Sequence, residues 1–330
     1  MKNLRKISIL FLMLILLAST TMTGCGKKSS IGDKVILYTN ADDEAVTAMK
    51  NALDNNGYKD KYILQTFGTS ELGGKIVAEG KNIEADLITM SSFYIDSAEN
   101  QHHMFKNLEF DTGAIDKYPE YYTPITAQEG SIIYNTEAVK QNNLEIPKSI
   151  KDLTKPEYKD LVSVTDVNSS STAWLLIQAM ISEYNEDGTK DILKKIYKNA
   201  GSHIEQSGSG PIKKVRAGEV AVGFGLRHQA VRDKGQGLPI GYVDPTEGNF
   251  TLTESVAVID KGNKLNQEAM KMAECIIKNG RQELLKTYPI ALYNGENVSQ
   301  DNKSGNPKVF KEALTVDLLK KHQQLSEDCK

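Results

Sequence analysis

Val162-Ser163-Val164-Thr165-Asp166-Val167-Asn168-Ser169-Ser170-Ser171-Thr172-Ala173-Trp174 reads as a strand, a polar turn and the start of a helix. The run from Val162 to Thr165 suits a buried strand. Asp166 and Asn168 supply turn chemistry, and Trp174, Leu175, Leu176, Ile177 and Met180 begin an apolar helical pattern. Hydroxyls at Ser170, Ser171 and Thr172 stand where a helix N-cap satisfies free backbone N–H groups. Those N–H groups and the helix dipole attract an anion. A serine-rich cap needs no ligand when it stands alone, so its meaning depends on whether other turns repeat it.

They do. Val35 to Tyr38 is a strand pattern ending in Thr39-Asn40, followed by Ala45, Met49, Ala52 and Leu53 at helical spacing. Tyr62 to Phe67 leads through Gly68-Thr69-Ser70-Glu71 into a helix, and Asp86 to Met90 ends in Ser91-Ser92. Ile204 to Gln206 ends in Ser207-Gly208-Ser209-Gly210-Pro211, and Val220 to Gly225 ends in Leu226-Arg227-His228-Gln229. Strands alternating with helices predict a parallel, doubly wound α/β sheet. Ligands of such sheets bind beyond the carboxyl ends of the strands, which makes Thr39, Asn40, Thr69, Ser70 and Ser92 candidates together with the serine turn. The Gly68 to Ile76 segment resembles a phosphate loop, but five residues separate Gly68 from Gly74-Lys75 where the motif has four, and Ile76 replaces its Ser or Thr. Nucleotide hydrolysis is rejected on that ground.

The 330-residue chain is 39% hydrophobic and 25% charged, ordinary for a globular protein large enough for two lobes. Its net charge is −3, or −6 once Lys2, Arg5 and Lys6 of residues 1–24 are set aside. A mildly acidic body without basic runs excludes a nucleic-acid partner. Lys2, Arg5 and Lys6 precede the apolar run Ile7 to Ala18 and the sequence Met22-Thr23-Gly24-Cys25, a secretory signal pattern that ends like a bacterial lipobox. Residues 1–24 are expected to be a signal peptide, Cys25 a lipid anchor, and 25–33 a tether outside the cytoplasmic membrane, with the folded body starting near Lys34. Cys275 and Cys329 either form a disulfide or remain buried thiols. His102-His103 lacks an acidic or thiol partner at metal-ligand spacing. No Gly-x-Ser-x-Gly elbow occurs and none of the five histidines suggests a triad. These points weigh against a surface hydrolase, and neither a metal nor a cofactor is expected.

Several segments in order, Ala85-Asp86-Leu87, Tyr134-Asn135-Thr136-Glu137-Ala138-Val139, Pro147 to Asp160 and Ser169 to Thr172, resemble the extracellular solute-binding proteins of ABC importers, in the branch with ferric-ion, phosphonate and thiamine binders. The resemblance implies a two-lobed periplasmic-binding-protein-like fold of type II, its doubly wound sheets joined by crossing strands near Gly130 to Tyr134 and Phe250 to Val258. Lobe one is then residues 34–128 and 253–294, lobe two 131–249, and the C-terminal helices of 295–330 pack on either. It also implies a monomer that works with separate permease and ATPase subunits. The ferric binders carry adjacent tyrosines after the strand that here is Val220 to Gly225, whereas this chain has Arg227 and His228. A guanidinium cannot ligate a cation but grips phosphonate oxygens in pairs, which favours an oxyanion; Tyr121-Tyr122 lie before the crossing. Alternation from Phe250 sets Glu254 opposite Thr253 and Ser255, so Glu254, or else Glu247, is placed to meet an ammonium. The expected ligand is an organophosphonate such as 2-aminoethylphosphonate, with a phosphate ester or ferric ion as alternatives. It is expected to be held by the serine turn of lobe two facing Thr39-Asn40 and Thr69-Ser70 of lobe one.

Overall fold

The computed structural model describes residues 34–264 and 266–330; the signal segment and Cys25 lie outside the described residues. Its first half contains β1 (Val35–Thr39), α1 (Asp43–Leu53), β2 (Tyr62–Thr66), α2 (Thr69–Glu79), β3 (Leu87–Ser91), α3 (Ser92–His102) and the short β4 (Phe105–Lys106). The long β5 (Tyr122–Asn135) leads to α4 (Thr136–Gln141), β6 (Val162–Thr165), α5 (Thr172–Ala200), β7 (Ile204–Glu205), α6 (Gly210–Ala217), β8 (Val222–Leu226), α7 (Arg227–Gly235) and β9 (Ile240–Val243). The chain returns along β10 (Thr251–Ile259) and continues through α8 (Gln267–Cys275), α9 (Arg281–Thr287) and α10 (Val316–Glu327).

β1 pairs in parallel with β2 and β3, and β6 with β7 and β8. β10 and β5 run antiparallel to their neighbours. The sheet is therefore mixed, not wholly parallel as the alternation suggests, because the connecting strands must travel back between the halves. β5 decides the arrangement. Its residues 122–129 pair with β10, and residues 130–135 pair with β8 and β9. One strand is thus shared by two sets of strands, the two-lobed plan.

Period-two alternation places the sheet between helix layers. Val35, Leu37, Leu87, Val256 and Val258 pack with Met49 of α1 and Met272 and Ile276 in or next to α8. Tyr38, Ile88 and Met90 face Leu72 and Ile76 of α2 and Phe93 and Ile95 of α3. In the second half Val162, Val164 and Phe224 pack with Trp174 and Leu175 of α5. α10 joins both halves: Trp174 Nε1 donates to His322 Nδ1 at 2.8 Å, and Val316 N donates to Ser97 Oγ of α3 at 3.1 Å. Cys275 and Cys329 are free buried thiols in separate core clusters, so the disulfide alternative is discarded.

At Gly130, where β5 changes partners, an added Cβ would lie 2.4 Å from Phe224 Cζ and 3.1 Å from Leu175 Cβ. Phe224 is buried and cannot swing aside. Gly130→Val is expected to cost about 1–3 kcal/mol through overpacking, seen as a lower urea midpoint; an unchanged midpoint would show that the crossing tolerates a side chain.

Candidate functional site

A cavity of about 280 Å³ lies where the strand-to-helix turns of the two halves meet. The first half contributes Asn40 and Asp42 before α1, Phe67 and Thr69 around the start of α2, and Glu254 of β10. Tyr288, just beyond α9, closes this side. The second half contributes Ser169 to Thr172 at the start of α5 and Gln206 to Ser209 before α6. The N-termini of α2, α5 and α6 therefore border one space, each with backbone N–H groups that have no partner inside the helix. Among the described residues, no Lys, Arg or His lines the cavity, whereas Asp42 and Glu254 do.

The serine turn is built by Asp166. Its Oδ1 accepts from Asn168 N at 3.0 Å, and its carbonyl accepts from Ser169 N and Ser170 N. A Cβ on Gly208 would lie 2.1 Å from Thr172 Oγ1 and 3.3 Å from Ser170 Oγ. Only glycine lets the 206–209 turn come this close to the first turn of α5. From behind, residues in and beyond α10 hold the same turn: Lys330 Nζ is 2.9 Å from Asp166 Oδ2, Gln323 Nε2 donates to Val167 O at 3.3 Å, and Asn168 Nδ2 donates to Glu327. From the opposite half, Ser70 Oγ donates to Asn168 O at 2.8 Å.

Glu254 sits opposite Ser91 in the β10–β3 register, beside a register shift between Glu254 and Ser255. Its Oε1 accepts from Ser91 Oγ at 2.7 Å. Burial pushes its carboxyl up to about 7, with hydrogen bonds from Ser91 and Asn40 only partly opposing the rise and the nearby Asp42 adding to it. Burial also raises Asp42, while the hydrogen bonds it accepts from Tyr288 and Ala45 N hold it down.

Six of the expected ligand residues line the cavity: Asn40, Thr69, Ser170, Ser171, Thr172 and Glu254. Four do not. Thr39 is fully buried and accepts from Thr89 Oγ1 at 2.6 Å and Ala41 N at 3.0 Å. Ser70 spends its hydroxyl on Asn168, and Ser92 bonds to Thr253 and Ser255 at 2.7 Å each. Arg227 requires the clearest correction. Its Nε and Nη2 grip the two Asp244 oxygens at 2.7 and 3.2 Å, its remaining donors reach Asp301 O and Lys303 O, and its guanidinium stacks over Tyr242. With four of its five N–H donors spent on the protein and its charge matched by Asp244, the buried guanidinium is outside the cavity and is not placed to grip an oxyanion. Glu247 is also structural: it is fully buried and accepts from Ile150 N, Lys151 N and Tyr184 Oη.

His228 is buried against the Tyr288 ring, and desolvation drives it down to about 3, so it is a neutral packing residue. Tyr121 and Tyr122 both donate to Asp96, away from the cavity. Residues that sequence reasoning did not single out as ligands are Asp42, Phe67, Gln206, Ser207, Ser209 and Tyr288. The Ser207 to Pro211 turn carried the same local signal as the serine turn. Tyr288 carried none, because its place depends on a contact with Asp42 246 positions away.

Two α/β halves hung on shared strands, with a polar cavity between their strand ends, define a two-lobed protein that encloses a small solute. The chain belongs to the family of bacterial extracellular solute-binding proteins, whose model matches residues 65–306; these are binding proteins of ABC transport systems, not enzymes. It is 26% identical over 293 residues to the Fe(3+)-binding periplasmic protein of Serratia marcescens, covering 82% of each chain. It is 28% identical over 149 residues to an uncharacterized protein of Haemophilus influenzae, covering 45% of this chain and 43% of that one. Among solved structures, it resembles the periplasmic binding protein AfuA of Actinobacillus pleuropneumoniae with bound fructose-6-phosphate, with a TM-score of 0.71, 21% identity and coverage of 89% of this chain and 97% of that one.

Because Glu254 is protonated more readily when folded than when unfolded, its contribution to stability is present below pH 4.5 and lost as pH rises through about 7. Glu254→Gln should therefore stabilise the ligand-free protein relative to wild type as pH climbs across that window, by on the order of 3 kcal/mol at its upper end. Thermal melts from pH 4 to 8 check this; a pH-independent difference between the two would contradict it.

Proposed function

We propose that the protein is the lipid-anchored, monomeric substrate receptor of an ABC importer, held by Cys25 on the extracytoplasmic face of a bacterial membrane, and that it captures a small organophosphonate. Lobe one comprises residues 34–128 and 253–294 and lobe two 131–249; they close on the ligand by bending at the crossing strands and present it to separate permease and ATPase subunits. The observation that carries the ligand class is the second-lobe wall. The starts of α5 and α6 meet there with the hydroxyls of Ser170, Ser171, Thr172, Ser207 and Ser209, offering an array of N–H and O–H donors to the oxygens of a phosphonate head.

The same donors disfavour a bare ferric ion, since they turn the positive ends of their dipoles toward the cavity. A phosphate ester has a similar head and is the closer alternative. Calorimetry against phosphonates, phosphate esters, ferric citrate and thiamine separates these ligands. Ser170→Ala and Ser171→Ala are each expected to weaken phosphonate binding by about tenfold to a hundredfold, the value of one hydrogen bond to a charged group, with little change in melting temperature. Tight binding of ferric citrate, untouched by either substitution, would refute the proposal.

A further inference from the structure

Ser70 is one of the expected ligand residues that does not line the cavity: its hydroxyl donates to the carbonyl of Asn168 in the opposite half at 2.8 Å. Its other hydrogen-bonding neighbour is the Tyr94 hydroxyl of α3, in its own half. The contact lies at the rim of the cavity, since Thr69 beside Ser70 and Ser169 beside Asn168 both line it. Ser70 stands in the first turn of α2, after β2, and Asn168 in the turn after β6. In the strand order, β1, β3, β10, β5 and β8 lie between β2 and β6. Two segments so far apart in the sheet touch only because the halves fold toward each other about β5 and β10. A swing of the halves about those shared strands separates this pair more than it separates contacts close to them, such as the ring pair of Phe93 in α3 and Trp174 in α5.

We propose that the Ser70–Asn168 hydrogen bond is a latch between the lobes, which forms as they close and sets how fast a solute leaves without choosing which solute is held. This rests on the lobe closure proposed above and not on the ligand class. The acceptor is fixed before the lobes meet: Asn168 N donates to Asp166 Oδ1 at 3.0 Å, and Asn168 Nδ2 donates to Glu327 of α10, so little freedom is lost when Ser70 arrives. The other contacts between the halves at the cavity hold less firmly. Arg232 Nη1 is 3.8 Å from Glu44 Oε1 with both side chains partly in water, where an ion pair is worth little, and His228 meets the Tyr288 ring by packing. When the lobes part, both Ser70 and the Asn168 carbonyl regain water, so the latch is worth one ordinary hydrogen bond. That is enough to change a release rate severalfold and too little to lock the lobes.

The test is stopped-flow kinetics on the purified protein with 2-aminoethylphosphonate and the phosphate ester O-phosphoethanolamine. The signal is the emission of Trp174, the single tryptophan, which is fully buried against Phe93 of the other half. Ser70→Ala should speed release of both probes by the same factor, about threefold to tenfold, while association changes by less than about twofold. Its melting temperature should not fall, because Ala is the better helix former. Ser70→Thr keeps the hydroxyl and should release both probes at the wild-type rate. Release from Ser70→Ala at the wild-type rate, for whichever probe binds, would overturn the latch. Factors differing by more than about threefold between the probes would also overturn it, by making Ser70 a solute contact. If neither probe binds, the phosphonate reading fails and small-angle X-ray scattering of the ligand-free proteins decides the latch alone. A larger radius of gyration for Ser70→Ala than for wild type supports it, and superimposable curves overturn it.

Discussion

β5 hydrogen-bonds to β10 along its first eight residues and to β8 and β9 along its last six, and the rest of the molecule is arranged around that exchange of partners. A strand committed to two neighbours in turn cannot belong wholly to either half. It ties the lobes covalently. The carboxyl ends of the parallel strands in each half then face one another across the crossing. The cavity follows from this topology: wherever such strands end, a turn and a helix N-terminus come next, and two sets of them meet here.

The cavity is polarised by the way those turns are filled. On the second-lobe side, hydroxyls and helix starts present hydrogen atoms; on the first-lobe side, the carboxyl groups of Asp42 and Glu254 border the space. Among the described residues, neither side carries a basic side chain. Selectivity in such a space comes from the direction of dipoles and from the cost of leaving a buried acceptor alone. That cost exceeds the modest net gain of an ordinary hydrogen bond. A solute that satisfies only one wall forgoes the other wall's contribution.

α10 and the residues after it give the serine turn a support that the turn's own residues do not supply. Short loops rich in serine are conformationally loose, and the proposed anion site needs its donors fixed in advance. Lys330, Glu327 and Gln323 hold residues 166–168 from behind, and His322 holds Trp174 two positions past Thr172. The contact of Val316 with Ser97 of α3 extends this brace toward the other lobe. The surroundings of the serine turn therefore combine segments from three distant parts of the chain.

Strand and helix alternation, the helix starts and the hydroxyl-rich turns were legible in the sequence because they depend on residues a few positions apart. Six cavity residues could be named from those local signals. Arg227 was misread: its charge was visible, but its partner Asp244 and the carbonyls of Asp301 and Lys303 come to it only through folding. Tyr288 had no local signature for the same reason. The mixed sheet was also hidden, since a run of apolar residues does not reveal the direction of the strand beside it. The sequence by itself determined an α/β chain with donor-rich strand ends. Only the tertiary structure decided which of those side chains face the cavity and which are consumed by the protein, because that choice is made by contacts between segments that lie from 17 to 246 residues apart and meet only on folding.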